Sequence, residues 1–165
     1  MLHTRRIVIG AMLVLLCAFP AAAQSSAPGE KADALAEAAR KGDAAAVKKL
    51  LDEGVDVNTK YRYGATALSY ASDRGHADVV KLLIERGADV LVKDTFYNAT
   101  PLTWAVSPAM GRKPQHVEVV RLLLAKGGYD AATLADALEA ATRAGQPEVA
   151  ALLERAGAKP KPKEK

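Results

Sequence analysis

The chain has 165 residues, of which 23 are Lys or Arg and 19 are Asp or Glu. Two arginines lie in the first 23 residues, and residues 159–165 hold four lysines and one glutamate, so residues 24–158 carry 17 basic against 18 acidic side chains. This near neutrality excludes a nucleic-acid binder that works by charge.

Residues 1–23 are predicted to form a cleaved secretory signal peptide of bacterial style. Two arginines precede an apolar run over residues 7–19, and Ala21 and Ala23 supply small side chains at the −3 and −1 positions of a cleavage site. The apolar run is too short, and has the wrong flanks, for a membrane anchor. We therefore expect a periplasmic or secreted protein with no integral membrane insertion after cleavage.

Three other interpretations of this segment are open but less well supported. Cys17 could carry a lipid, although the preceding Leu16 is large where a small residue is wanted. The arginine pair resembles a twin-arginine signal without its usual continuation, and the alanines of residues 21–23 argue against an uncleaved anchor. Cleavage would remove Cys17, the only cysteine, so the mature chain would have no disulfide and no thiol chemistry.

A repeated pattern follows residues 24–31, which are predicted to be a disordered linker. Residues 35–56 and 64–89 match each other at an offset of 33 residues, which places Leu35 on Leu68. A fixed period of this length predicts stacked supersecondary units. Such a stack offers an extended surface rather than a deep pocket.

Each unit is predicted to contain two short helices. In the first unit, apolar residues at helical spacing begin at Leu35, and Gly42 ends that helix because glycine tolerates the left-handed conformation found past a helix C-terminus. Asp43 is predicted to cap a second helix, whose apolar positions begin at Val47 and which Gly54 ends.

The third and fourth units carry the clearest helix starts and one irregularity. Thr100 before Pro101 predicts a capped helix, and Pro147 is predicted to open the last helix of the fourth unit. From Thr100 to His116 is sixteen residues, whereas the same landmarks are ten residues apart in the second unit. Six residues are therefore inserted within 107–115, in a predicted surface loop.

Several motifs in phase resemble ankyrin repeats. These are TALS at 66–69, VVKLLIERGAD at 79–89, TPLT at 100–103 and VVRLLLAKGG at 119–128. The resemblance covers about residues 32–158 and implies an all-α solenoid of about four helix-turn-helix repeats joined by hairpin loops. The expected repeats are residues 32–63, 64–97, 98–130 and 131–158. Where the family pattern has His after Thr-Pro-Leu, this chain has Ser69 and Thr103, whose hydroxyls are expected to replace part of that hydrogen-bond network.

The resemblance implies a binding module for a protein partner, expected to be a monomer, with no cofactor, no metal and no enzymatic activity. The expected partner-binding residues lie at the hairpin tips, at the contact positions of the family and in the insertion. They are Tyr61, Arg62, Tyr63, Asp73, Arg74, Phe96, Tyr97, Ser107 and Arg112.

Aromatic residues at the hairpin tips carry most of this hypothesis. Tyr61, Tyr63, Phe96 and Tyr97 are four of the eight aromatic residues of the chain, and exposed rings suit binding hot spots. The alternative is that adjacent tips pack on each other and fix the loops, and both can hold together. Tyr70 and Trp104 occupy equivalent positions on first helices and are expected to be mainly structural, with Trp104 partly exposed on the concave face.

Two further features have functional and structural interpretations. His76 and His116 stand at equivalent positions, which suggests a metal site, but no acidic or cysteine partner has ligand spacing, so bracing of the second helix is favoured. The basic tail of residues 159–165 is expected to be extended and solvated. The alternative function is a cell-envelope protein whose tail binds anionic lipid or wall polymer.

Overall fold

The computed structural model describes residues 28–107 and 115–161, and these residues form eight α-helices and no strand. The helices are α1 (Pro28–Lys41), α2 (Ala44–Asp52), α3 (Ala67–Arg74), α4 (Ala77–Glu85), α5 (Pro101–Val106), α6 (Gln115–Lys126), α7 (Ala131–Arg143) and α8 (Pro147–Arg155). A single 3-10 turn, Arg62–Gly64, lies in the hairpin between α2 and α3.

The helices pack as four pairs in two layers. Within each repeat the first helix contacts the second, as α1 contacts α2 and α7 contacts α8. Between repeats, α1, α3, α5 and α7 contact one another in sequence and form one layer, while α2, α4, α6 and α8 form the other. This arrangement confirms the predicted all-α repeat solenoid.

One continuous apolar core runs between the two layers. The core contains five fully buried leucines, which are Leu68, Leu83, Leu102, Leu123 and Leu153. The first four belong to the two middle repeats, whose helices have neighbours on both sides, and Leu153 belongs to the last repeat. Burial of a leucine side chain contributes about 1.5–3 kcal/mol relative to exposure. Leu50, the first-repeat equivalent of Leu83, is only partly buried, whereas Leu35, the equivalent of Leu68, is fully buried.

The helix starts follow from local chemistry, as the sequence predicted. The Asp43 carboxylate accepts a hydrogen bond from the backbone N–H of Ala46 at 2.9 Å and caps α2. Thr66 caps α3 in a capping box with Ser69, and Thr100 caps α5 with Pro101 in the first turn. The hydroxyls that replace the family histidine therefore do form local hydrogen bonds.

The predicted linker of residues 24–31 requires a correction, because α1 already begins at Pro28. Proline suits the first turn of a helix, and Glu30 places a negative charge near the helix N-terminus. Lys31, in the second turn, pairs with Glu53 at 2.8 Å and so ties the first helix to the end of α2.

Several predicted features lie outside the described residues. These are the signal peptide, most of the insertion with Met110, Arg112 and Lys113, and residues 162–165 of the tail. Among the helices that the structure does describe, none has the length and apolar composition needed to cross a membrane.

Candidate binding surface

Four aromatic side chains form a row along the hairpins and the first helix beside them, which we name the aromatic ridge: Tyr63, Phe96, Tyr97 and Trp104. The ring centroids of Tyr63 and Phe96 are 5.3 Å apart, those of Phe96 and Tyr97 are 4.6 Å apart, and those of Tyr97 and Trp104 are 5.5 Å apart. Tyr63, Phe96 and Tyr97 nevertheless remain 49%, 63% and 67% exposed. The tips therefore pack on each other and still present rings to solvent.

A buried carboxylate, that of Asp94, holds the second hairpin in shape. Asp94 is 4% exposed and accepts hydrogen bonds from the backbone N–H groups of Phe96 (2.8 Å), Tyr97 (2.6 Å) and Ala99 (3.1 Å). The Oδ2 atom, which accepts from Ala99, also accepts from Trp104 Nε1 at 3.0 Å. One side chain thus fixes both the backbone below two ridge residues and the orientation of a third. The sequence analysis missed Asp94, although aspartate commonly organises a turn by accepting from backbone N–H groups two residues on.

The tip of the first hairpin has a strained backbone. Tyr63 has φ 59° and ψ 25°, a left-handed conformation that a bulky side chain rarely adopts. Two contacts hold it there: its carbonyl accepts from the Thr95 N–H at 2.7 Å, and its hydroxyl accepts from Arg62 Nη2 at 2.8 Å. The Arg62 guanidinium also lies 4.7 Å from the ring centroid of Tyr63. Strain of this kind is concentrated at functional sites.

Tyr61 does not belong to the exposed tip, which corrects the expectation for one of the four aromatic residues. Its hydroxyl donates to the carbonyl of Ala32 on α1 at 2.8 Å, and its ring lies 5.9 Å from that of Tyr70. Burial raises the pKa of Tyr61 from its ordinary value of 10.0 to about 12. Tyr61 therefore joins the hairpin to the first repeat.

We expect Tyr61→Phe to lower the free energy of unfolding by about 1 kcal/mol at pH 7, since the Ala32 carbonyl loses its donor. The folded pKa lies above the unfolded one, so this tyrosine favours the folded state most below pH 10 and loses that contribution as pH rises through about 12. The difference between wild type and variant should therefore shrink in alkali. Urea unfolding followed by circular dichroism at pH 7 and pH 11 measures both effects. Tyr97→Phe is the control, and an equal loss in that variant would contradict the assignment.

Two shallow cavities lie along the layer of first helices, on either side of Tyr70. One, of about 110 Å³, is lined by Ala65, Ser69, Tyr70, Asp73 and Trp104. The other, of about 260 Å³, is lined by Asp33, Ala36, Glu37, Arg40, Tyr61, Arg62 and Tyr70. Both cavities are lined by Tyr70 and lie beside the aromatic ridge, and we name the two together the groove.

The predicted charged residues of this face are only partly brought together. Arg62 lines the larger cavity and Asp73 the smaller one, while Arg74 pairs with Asp73 at 3.5 Å between Nε and Oδ2. Burial raises the pKa of Asp73, and Arg74 lowers it by less. Ser107 follows α5 directly and is half-buried, and Arg112 lies outside the described residues.

The two equivalent histidines join successive repeats. His76 Nε2 lies 3.1 Å from the Arg40 carbonyl oxygen, and His116 Nε2 lies 3.1 Å from that of Asp73, so each ring donates to the end of the preceding first helix. The His76 side chain forms no cap on the second helix, so its ring acts through this hydrogen bond to the preceding repeat. Among the described residues, no group of three His, Cys, Asp or Glu side chains could hold a metal ion.

The described part of the basic tail contacts the last repeat. Lys161 Nζ lies 2.5 Å from an Asp136 oxygen and 3.3 Å from a Glu139 oxygen, both on α7. These exposed ion pairs contribute little stability. They do, however, neutralise Lys161, which is one of the lysines that the lipid-binding alternative requires.

Comparison with known proteins identifies the repeat. A family model described as ankyrin repeats, in three copies, matches residues 10–94 and 35–133, which together span well over half of the chain. A comparison with curated proteins finds no match. The matched ranges contain both hairpins, the aromatic ridge and the groove.

Proposed function

The chain belongs to the ankyrin-repeat family, and from this premise we propose that it is an exported scaffold that binds a protein partner through the aromatic ridge and the adjoining groove. Ankyrin repeats are in general protein–protein interaction modules and typically do not catalyse reactions. One observation supports this location: the rings of Tyr63, Phe96 and Tyr97 are each about half or more exposed, while hydrogen bonds hold the backbone of these residues in place.

Rigidity is what makes the ridge suitable for binding. A flexible loop loses conformational freedom when it docks, whereas the second hairpin is already ordered by Asp94 and the first by Tyr63 and Thr95. An aromatic ring has few rotatable bonds and a large apolar area, so Phe96 and Tyr97 would bury much surface at small entropic cost. Arg62, stacked on Tyr63, would orient the partner through its remaining N–H donors.

Export is part of the proposal and rests on the sequence of residues 1–23. We propose cleavage before Gln24 and a partner in the cell envelope, either in the periplasm or outside the cell. The mature chain would then lack Cys17 and would depend on the packed stack alone for stability.

We expect Tyr63→Ala and Phe96→Ala each to weaken partner binding by more than about 1 kcal/mol, roughly fivefold or more, without loss of helical content. The partner is first identified with a photoreactive residue placed at position 97 in living cells, followed by mass spectrometry of the crosslinked product. The same spectrum reads the N-terminus, which should be Gln24. Titration calorimetry with the purified partner then gives the affinities.

Lys81→Ala is the matched control, because Lys81 is exposed on α4 in the opposite layer. Its affinity should equal that of wild type. If the double variant Tyr63→Ala/Phe96→Ala bound as tightly as wild type, the ridge would not be the binding surface. An intact N-terminus at Met1 would contradict cleavage before Gln24.

A further inference from the structure

We propose that the smaller cavity, between Tyr70 and Trp104, receives one cationic side chain of the partner, that of a lysine or an arginine. This inference rests on the proposed function, since it names the chemistry of an anchor that the partner inserts beside the ridge. The walls, the charge and the size of the cavity support it independently.

The walls are two aromatic rings from equivalent positions of successive repeats. Tyr70 on α3 and Trp104 on α5 both line the cavity. Each ring is held by contacts of its own. The Arg40 guanidinium lies 4.4 Å from the Tyr70 centroid, while the Tyr97 ring meets Trp104 edge-on and Asp94 accepts from the indole N–H. Cations are attracted to aromatic rings held in this way, because the ring face carries partial negative charge.

The one carboxylate that lines the cavity is that of Asp73. No basic residue lines the cavity, and the nearby Arg40 guanidinium lies over the Tyr70 ring. Within the described residues, the one ion pair of that carboxylate is with Arg74 at 3.5 Å. Burial keeps the pKa of Asp73 raised although Arg74, His116 and Arg40 all lower it, so the loss of hydration outweighs the attraction of these neighbours and the negative charge is incompletely compensated. A cation that entered between the rings would supply the missing compensation.

The size of the cavity selects a side chain rather than a cofactor. About 110 Å³ is well below the roughly 300–1,000 Å³ of ordinary small-molecule sites, yet it accommodates an ammonium or guanidinium group with its last methylenes. Ala65 and Ser69 have short side chains, which leaves the cavity open between the rings. An anion is disfavoured by Asp73, and a neutral aliphatic chain would remove water from that carboxylate without adding a charge to the one that Arg74 supplies.

The test uses Trp104 as its reporter, because it is the only tryptophan of the chain and gives a single indole N–H signal in a proton–nitrogen NMR spectrum. The full mature protein is titrated with N-acetyl-lysine methylamide, with N-acetyl-arginine methylamide and with the neutral N-acetyl-norleucine methylamide, at constant ionic strength. We expect saturable shifts with the cationic compounds in the millimolar range and binding about tenfold weaker with norleucine.

Asp73→Asn keeps the shape of the side chain and removes its charge. This variant should bind the cationic compounds about tenfold more weakly than wild type does. It should not destabilise the fold at neutral pH, because burial raises the pKa of Asp73 in the folded protein, so that ionisation of this carboxyl favours the unfolded state. Asp78→Asn, an exposed acid on α4, is the control and should bind as wild type does.

Three results would overturn the proposal: no saturable shift with either cation, equal binding of norleucine, or unchanged binding in Asp73→Asn. The titration needs no partner, so its failure is distinguishable from failure of the ridge variants.

Discussion

Replacing Asp94 with alanine is expected to lower the free energy of unfolding by about 3–4 kcal/mol, one of the two largest effects that the structure predicts for a single side chain. The carboxylate is 4% exposed and satisfies four donors, three of them backbone N–H groups of the hairpin. Each donor left without an acceptor out of reach of water costs about 1–3 kcal/mol, and relaxation of the exposed tip reduces the sum. Urea unfolding followed by circular dichroism measures the change.

The same variant should release Trp104 from its fixed orientation. The indole N–H of Trp104 donates to Asp94, so its NMR signal should shift and its fluorescence should change even under fully native conditions. Asp94→Asn retains one acceptor oxygen and should lose only about half as much stability. Asp78→Ala removes an exposed carboxylate and should change the free energy of unfolding by less than about 0.5 kcal/mol. If Asp94→Ala unfolded like Asp78→Ala, the carboxylate would not organise the hairpin.

The scaffold could be predicted from sequence because its signals are local. Asp43, Thr66 and Thr100 each cap the helix that follows immediately, and Gly42 ends α1 at φ 79°. Such residues act on backbone groups a few positions away, so their chemistry is visible in the sequence itself. The repeated pattern then supplies the packing partners, since each apolar helix needs a neighbour of the same kind.

The site was only partly predictable because it depends on contacts between repeats. The exposure of Phe96 and Tyr97 follows from their place at a hairpin tip, but the inward turn of Tyr61 depends on the carbonyl of Ala32, 29 residues earlier. Asp94 was visible as a turn former, yet its bond to Trp104 requires the hairpin to fold back over α5. No sequence signal carries that geometry.

The cavity illustrates the same limit. Tyr70 and Trp104 were expected to be mainly structural, because their position in the repeat is normally apolar and packed. Both are in fact half-buried and line an open space. What the sequence could not show is that Ala65 and Ser69 leave that space unfilled. The structural role expected for the two rings therefore leaves room for the binding role that we propose.

Gly42→Ala is expected to lower the free energy of unfolding by about 3–4 kcal/mol, because the added methyl group would clash with His76 of the next repeat. Gly42 has φ +79°, and a Cβ atom at this position would lie 2.5 Å from His76 Nδ1. Left-handed strain alone costs a non-glycine residue roughly 1–2 kcal/mol. The rest comes from displacement of the His76 ring, which loses its hydrogen bond to the Arg40 carbonyl.

Gly54→Ala separates these two causes. Gly54 has φ +87°, and nothing lies within 4 Å of its Cβ position, so this variant should show the backbone strain without the clash. Gly42→Ala combined with His76→Ala removes the clash and should recover part of the loss relative to Gly42→Ala alone. Urea unfolding of the three variants gives the comparison.

Hydrogen exchange shows where the stability is lost. The stability of a repeat stack is approximately a sum of the repeats and the interfaces between them, so a weakened first interface should release the first repeat ahead of the others. In Gly42→Ala, the amides of α1 and α2 should exchange faster while those of α6 and α8 keep their protection. Equal destabilisation by Gly42→Ala and Gly54→Ala, with exchange accelerated evenly along the stack, would mean that His76 does not join the repeats. The two histidines would then fill space beside Gly42 and Gly75 without coupling their neighbours.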